Sequence, residues 1–356
     1  MPIRTTLPPI AYAQVIEAPY ALTEGRVQII PLAADDPRFS GYDIFMSYDG
    51  SSYFWLTSVD LFQIVGRLVA DYPLTRPVDD EVGCTVSILA GEAGLMETIT
   101  RTQAMAGFNM ALLGDEIISF QTITPVSGTQ YLLTGVFRGR LDTQRQEHKA
   151  GELFWFMGRR AYTLIEDTEF HYGVDRWFKL VPRGPGGAGD IAQARAYKHT
   201  FTARAKTPLV PMNLKANGKA RLAEYTGDIV LTWDPRVRGD GAGVGAAEQV
   251  TDAAATWEGL FQVEVWVWGA LVSSYAGIDA KTWTYTQAQN LSDNGGLPCR
   301  LTLKVSNYLL DRSYTYESEQ TEIVVRDWAG STTTTTTTAA STTTTSSTVA
   351  PTTTTA

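Results

Sequence analysis

Apolar and polar positions alternate in short runs through residues 1 to 206, broken by turn residues. Phe39 to Tyr48 alternates, stops at Asp49-Gly50 and resumes at Tyr53-Phe54-Trp55-Leu56. An Asp-Gly step between two such runs predicts a β-hairpin, because both residues tolerate the backbone that a tight strand reversal needs. Gln130 to Phe137, Glu152 to Phe156 and Arg159 to Glu166 predict further strands. Amphipathic helices are scarce. Leu61, Ile64, Val65 and Leu68 share one helical face, so a short helix is expected over Asp60 to Ala70.

A second region, 207–328, opens on Pro208-Leu209-Val210-Pro211 and continues with strand patterns at Asp228–Trp233, Leu260–Trp268, Lys281–Thr286, Arg300–Val305 and Glu317–Arg326. The longest apolar run, Val263 to Val272, alternates and is about half the length that spans a bilayer, so it reads as a strand. Evenly spaced strands in a unit of this size, with Trp233 early, predict a fibronectin-III-like sandwich in which Trp233 fills the space between two sheets. Residues 329–356 are dominated by Thr, Ser and Ala, a composition that builds no core and reads as a disordered tail, bare or glycosylated. The expected fold class is mainly β.

Composition narrows the function classes. The 356 residues carry a formal net charge of −9, and no Lys/Arg cluster offers a phosphate-tracking surface, so nucleic acid is not an expected partner. Two cysteines, Cys84 and Cys299, are too few for a disulfide framework or a zinc site and read as buried, reduced thiols. Pro8 and Pro9 interrupt the N-terminal region, so neither a signal peptide nor a membrane span is expected.

Several motifs occur in one order. Phe39-Ser40-Gly41-Tyr42 through Ser47-Tyr48-Asp49-Gly50-Ser51-Ser52-Tyr53 resembles a stretch of tailed-phage tail proteins related to the large hub, or megatron, protein of gene transfer agents. Gly114-Asp115-Glu116-Ile117-Ile118-Ser119-Phe120 resembles their G-x-E-x-l-x-F strand, and Tyr131 to Thr143, with Arg138-Gly139-Arg140, resembles their Y-x-L-x-x-L-L-R-G-R-x-G-T segment, followed by His148-Lys149-Ala150-Gly151-Glu152. Asp142 stands where the family usually has Gly. His199 to Leu214 is similar to the joint that leads into the next domain, Asp228 to Arg238 to a Trp-containing strand, and Tyr285 to Asn290 to a late strand. The resemblance implies a β-rich hub-type region over 1–206 ahead of the sandwich. The large N-terminal region of the hub protein is not recognised here, any hydrolase activity suspected for that region is not carried over, and a separate chain is expected to supply the missing hub portion.

Candidate chemistry is sparse. Gly184-Pro185-Gly186-Gly187-Ala188-Gly189 satisfies G-x-G-x-x-G formally, but Pro185 removes a donor, so a mobile glycine loop is expected in place of a dinucleotide site. His148, His171 and His199 lack metal-ligand spacing, and His148 is expected to tie down a loop through its ring. Asp35-Asp36 and Asp79-Asp80-Glu81 read as solvated turns. No nucleophile–base pair can be named, so no catalytic residue, cofactor or metal is expected and the protein is not expected to be an enzyme. Arg138 and Arg140, flanking Gly139, suit bidentate pairing with a carboxylate: an internal clamp to Asp142 or Glu147, or an intersubunit bridge.

The reading is a structural virion protein of a phage tail tip or baseplate hub, made in the bacterial cytoplasm. Its expected partners are distal-tail, hub and tail-tube proteins, and the resemblance implies a homotrimer. The second unit would project toward the host. The alternative is a glycan- or receptor-binding module that presents Trp266, Trp268 and Tyr275 on one exposed face.

Overall fold

The computed structural model describes residues 7–77, 79–143, 145–158, 162–220, 225, 227–235, 257–296, 300–311, 314–318 and 320–326. Cys299, the Gly-rich stretch Arg238 to Gly245, Arg159 to Ala161 and the Thr-rich segment expected to be disordered lie outside these residues. No helix among them is long and apolar enough to cross a membrane.

The chain is mainly β. Its first strands are β1 (Ala13–Glu17), β2 (Gln28–Ala33), β3 (Gly41–Ser47), β4 (Phe54–Val59), β5 (Ile64–Leu68), β6 (Asp79–Asp80) and β7 (Cys84–Ala90). Then come β8 (Met110–Leu113), β9 (Glu116–Ser127), β10 (Gln130–Phe137), β11 (Leu153–Phe156), β12 (Ile165–Glu166), β13 (Asp175–Gly184), β14 (Gly187–Ala188) and β15 (Ala196–Thr200). All named ladders are antiparallel. The order β10-β7-β5-β11-β8-β9, closed by β9 pairing back onto β10, makes a six-stranded barrel. Closure leaves these strands no open edge. Period-two alternation then sends Val86, Leu113, Phe120, Leu133, Phe154 and their neighbours inward to one core.

Strand β2 explains how the barrel is attached. All six of its residues are buried, because it faces packed layers on both sides. Ile30 and Leu32 meet Val65, Leu112 and Trp155 on the outside of the barrel. Ile29 and Ala33 point the other way, into a core shared with Tyr42, Ile44 and Met46 of β3 and Phe178 and Leu180 of β13. That core belongs to a second sheet, ordered β14-β13-β3-β4 with β15 also on β13.

The predicted Asp49-Gly50 hairpin forms, with Phe45 opposite Trp55. Three local expectations in this region are corrected. The segment expected as a helix over Asp60 to Ala70 contains β5, hydrogen-bonded between β7 and β11. Val65 faces the outer layer while Ile64 and Leu68 face the barrel interior. A strand buried on both faces has consecutive apolar residues that imitate a helical stripe. The expected mobile glycine loop is a hairpin tip, with Gly184 opposite Gly187. The Asp79-Asp80 pair, expected as a solvated turn, is strand β6 on the end of β10.

The later strands are β16 (Met212–Ala216), β17 (Ile229–Asp234), β18 (Leu260–Val267), β19 (Ala270–Ile278), β20 (Thr282–Tyr285), β21 (Arg300–Asp311), β22 (Tyr314–Glu317) and β23 (Thr321–Arg326). Sheet β16-β17-β20 faces sheet β19-β18-β21, with β22 and β23 paired to β21. This is the strand arrangement of a fibronectin-III-like sandwich. Trp233 is buried between the sheets, edge-on to Phe261 at 5.2 Å. The single strand expected over Val263 to Val272 is two strands joined at Trp268-Gly269, and Glu317 to Arg326 likewise divides between β22 and β23. The segment expected as a late strand at Tyr285 to Asn290 runs into a helix, α1 (Gln287–Asn294). Thr286 and Gln289 cap its start reciprocally, satisfying backbone donors that a helix leaves unpaired.

Substituting Ile30→Ala removes buried volume between the barrel and β2, and an unfolding free-energy loss of about 2–5 kcal/mol is expected in denaturant titration. A loss well under about 1 kcal/mol would contradict the layered packing.

Candidate functional site

One end of the barrel is closed by charge. Gly114, at φ 57°, turns β8 into β9, and a Cβ there would sit 2.0 Å from Glu152 Oε1. The turn places Glu116 at the start of β9, two residues before inward-facing Ile118 and four before Phe120, so its carboxylate points into the barrel end. After β10 the described residues 138–143 and 145–152 cross that end as a strap. Gly139, at φ 62°, lets the strap turn sharply enough to aim its own N–H at the carboxylate.

Five donors converge on Glu116. Arg138 Nε donates to Oε1 at 3.1 Å and Arg138 Nη2 to Oε2 at 2.7 Å. The Gly139 N–H reaches Oε1 at 2.8 Å and the Gln146 N–H reaches Oε2 at 2.8 Å. His148 Nε2 lies 2.9 Å from Oε2, and its Nδ1 lies 3.0 Å from Glu152 Oε2. Arg138 also donates to the carbonyls of Pro73 at 3.0 Å and Gln146 at 2.5 Å, and its guanidinium lies 4.2 Å from the centre of the Tyr72 ring. The Tyr72 hydroxyl donates to Asp80 at 2.7 Å. Backbone bonds between Tyr72 and His148 fasten the strap from the other side.

The side chains of Glu116, Arg138 and His148 are fully buried. Burial alone would raise the Glu116 pKa, but the bonds from His148, Arg138 and the Gln146 N–H outweigh it and hold the carboxyl below the ordinary glutamate value of 4.5. A buried ion pair of this kind is stable only when its remaining donors and acceptors are also satisfied. Here the carboxylate oxygens are filled by protein donors and the guanidinium by protein acceptors. The cluster therefore fixes three chain segments to one another and presents no unoccupied lone pair to a substrate. Cys84, expected as a buried thiol, is buried in the same core, and its thiol is pushed up to about 12 by that burial.

The other candidate residues disperse. The clamp partner of Arg138 is Glu116, not the expected Asp142 or Glu147. Asp142 holds Arg204 bidentately, and Glu147 pairs with Lys149. Arg204 also donates to the Glu17 carbonyl at 3.0 Å, so Asp142 helps anchor the segment that leads to Pro208. Arg140 is buried, with Nη2 on the Met105 carbonyl at 2.6 Å. His171 is exposed, and His199 lies 3.7 Å from Glu17. Among the described residues no group of three or more His, Cys, Asp or Glu side chains is placed to hold a metal. Asp80 is buried, whereas Asp79 pairs with Arg101.

Trp266, Trp268 and Tyr275 do not share an exposed face, which corrects the expected glycan platform. Tyr275 packs against the sandwich core beside Trp283 and bonds Asp293 at 2.6 Å. Trp266 lies on the opposite face of the sheet, with its N–H on Glu264 at 2.8 Å and the Lys304 ammonium 4.3 Å above its ring. Trp268 lies past the end of β18 at φ 53°, followed by Gly269 at φ 82°. Positive φ at both residues makes a tight turn, so the period-two alternation stops before Trp268.

Sequence reasoning singled out Arg138, Gly139 and His148, missed Tyr72, and named Asp80 and Glu152 without joining them to the clamp. It quoted Glu116 within a strand motif without giving it a role. The signal for Glu116 is an acidic residue in an otherwise apolar, inward-facing register, Glu116-Ile118-Phe120.

Residues 63–155 match the family model described as Rcc01698-like, C-terminal, and Rcc01698 is a gene-transfer-agent protein. The match spans the barrel from β5 into β11 and contains every residue of the clamp. No curated protein matches the chain. Among solved structures, the FN1–FN3 domains of chicken CNTN1 align at 11% identity over 90% of this chain and 99% of that one, with a TM-score of 0.20, a superposition too poor to carry an argument.

The clamp predicts acid sensitivity with a defined sign. Because the Glu116 pKa is lower in the folded state, its stabilisation is present above about 4.5 and is lost as pH falls through the folded value. Urea midpoints measured from pH 7 down to pH 3 should fall below about pH 4.5 more steeply in the wild type than in Glu116→Gln. Equal acid slopes would contradict the assignment. At pH 7, Glu116→Ala, which strands Arg138, should cost about 3–5 kcal/mol.

Proposed function

We propose that this protein is a structural component of a phage-type tail tip, a hub-class baseplate protein that works by packing and assembly and not by bond chemistry. The observation that carries the reading is the coincidence of the Rcc01698-like match with one complete physical unit, the barrel and its charged plug. The chain's likeness to a gene-transfer-agent protein is therefore a likeness in the part that holds the barrel and the clamp.

The clamp supports a structural role because its polar groups are spent on one another. A closed barrel with a pinned strap keeps its outer surface in a fixed shape, as a subunit in a symmetric ring requires. In this reading the protein forms a homotrimer in the virion, after synthesis in the bacterial cytoplasm. The region through β15 contacts distal-tail, hub and tail-tube proteins, and the sandwich projects toward the host. The alternative built on Trp266, Trp268 and Tyr275 is not favoured, since those side chains point to different places.

Co-expression with distal-tail and tail-tube proteins of one tailed phage or gene transfer agent, followed by size-exclusion chromatography with light scattering, tests the proposal. A trimer, or a stable complex with a tail-tube or distal-tail protein, is expected. A persistent monomer that binds none of them would contradict it.

A further inference from the structure

Beyond assembly, the outer face of the sheet formed by β4, β3, β13 and β15 gathers aromatic and charged side chains. Inward positions of this sheet, Tyr42, Ile44, Met46, Phe178 and Leu180, fill the core shared with β2. Alternation therefore turns Phe45, Trp55, Trp177 and Lys179 to the other side. Phe45 and Trp55 are directly opposite each other across β3 and β4. Trp55 is 57% exposed, an unusual exposure for the most costly side chain to leave in water. Ammonium groups cover the rings beside them: Lys179 lies 4.7 Å from the centre of Tyr53, and Lys198 lies 5.5 Å from that of Trp177.

The charges on this face largely cancel. Arg183 contacts Asp43 at 2.9 Å and Asp60 at 2.6 Å, and Ser58 donates to Asp43 at 2.6 Å. Lys198 pairs with Asp175 at 2.7 Å, while Lys179 donates to the Ile191 carbonyl at 2.9 Å. Three cations, Lys179, Lys198 and Arg183, thus stand against four anions, Asp43, Asp60, Asp175 and, beside Tyr53, Asp49. A face with no positive excess gives no attraction to a polyanion, yet its border is rich in donors and acceptors.

We propose that this face binds a neutral polysaccharide, with a pyranose stacked on Trp55 and Phe45 and its hydroxyls bonded to Asp43, Ser58 and Arg183. The C–H face of a sugar ring is apolar and carries a slight positive charge, which suits the negative face of an aromatic ring. Its hydroxyl edge needs both donors and acceptors, which the ion-paired border supplies. Protein contact is the competing use of such a patch. Lys179 stands directly opposite Phe45, inside the patch and not at its rim, and the core of a protein interface is depleted of charged residues, which favours the sugar.

The test uses the full chain as isolated and does not require assembly. Saturation-transfer NMR and tryptophan fluorescence would be recorded with maltoheptaose, cellohexaose and chitohexaose, with polygalacturonate as the anionic control. At least one neutral oligosaccharide should bind, insensitively to salt, with affinity reduced about tenfold or more in Trp55→Ala and unchanged in Trp266→Ala. Trp55 is exposed, so the variant should fold, and an unchanged circular dichroism spectrum would verify this. The proposal is overturned by absence of binding to all three, by binding that survives Trp55→Ala, or by binding only to polygalacturonate. Loss of tail assembly in Trp55→Ala without any sugar binding would assign the face to a protein neighbour and also overturn it.

Discussion

A carboxylate buried at the mouth of a barrel must be surrounded by donors or give up its charge, and at Glu116 the chain meets that demand from two segments. Arg138 and Gly139 approach from the end of β10, Gln146 and His148 from the strap, and Glu116 itself stands at the start of β9. Each donor is satisfied only if the strap follows one path. The requirement therefore converts a surface loop, which would otherwise sample many conformations, into a fixed part of the barrel. Removing one partner would leave the others buried and unpaired, which makes the cluster cooperative.

The remainder of the first region is arranged around that rigid unit. The outer wall of the barrel is apolar where β2 covers it, and β2 in turn offers its opposite side chains to the sheet containing β3 and β13. A single six-residue strand thus couples two cores, and the aromatic outer face of the second sheet is held by the same packing that holds the barrel. Arg204, bound to Asp142 of the strap and to the Glu17 carbonyl, carries the connection onward toward the sandwich.

Much of the fold was legible in the sequence wherever one face of a strand is wet. The hairpin about Asp49-Gly50 and the sandwich strand that carries Trp233 show period two, because water on one side enforces polar residues there. Strand β5 was not legible, since burial on both faces erases the alternation. The helix at Gln287–Asn294 was hidden because its signal lies in the Thr286–Gln289 cap and not in an apolar stripe. The glycan platform failed for two local reasons: Trp268 occupies a turn that alternation does not describe, and Tyr275 stands opposite inward-facing Val263, on the other face of the sheet from Trp266. The clamp was half visible. Arg138, Gly139 and His148 form a recognisable motif, but their common acceptor lies 22 residues before Arg138 on another strand. Nearby acids such as Asp142 and Glu147 were the natural guess because proximity along the chain is all that a motif can display.

The most direct measurement is native-state amide hydrogen exchange, followed by NMR, at the Gly139 and Gln146 N–H groups, each of which donates to Glu116. If the carboxylate holds the strap, both amides should exchange as slowly as the central amides of β9 and β10, although they lie outside any strand. Exchange at the rate of exposed loop amides would show that the strap opens freely, and the account of a charge-plugged, rigid barrel would then be wrong.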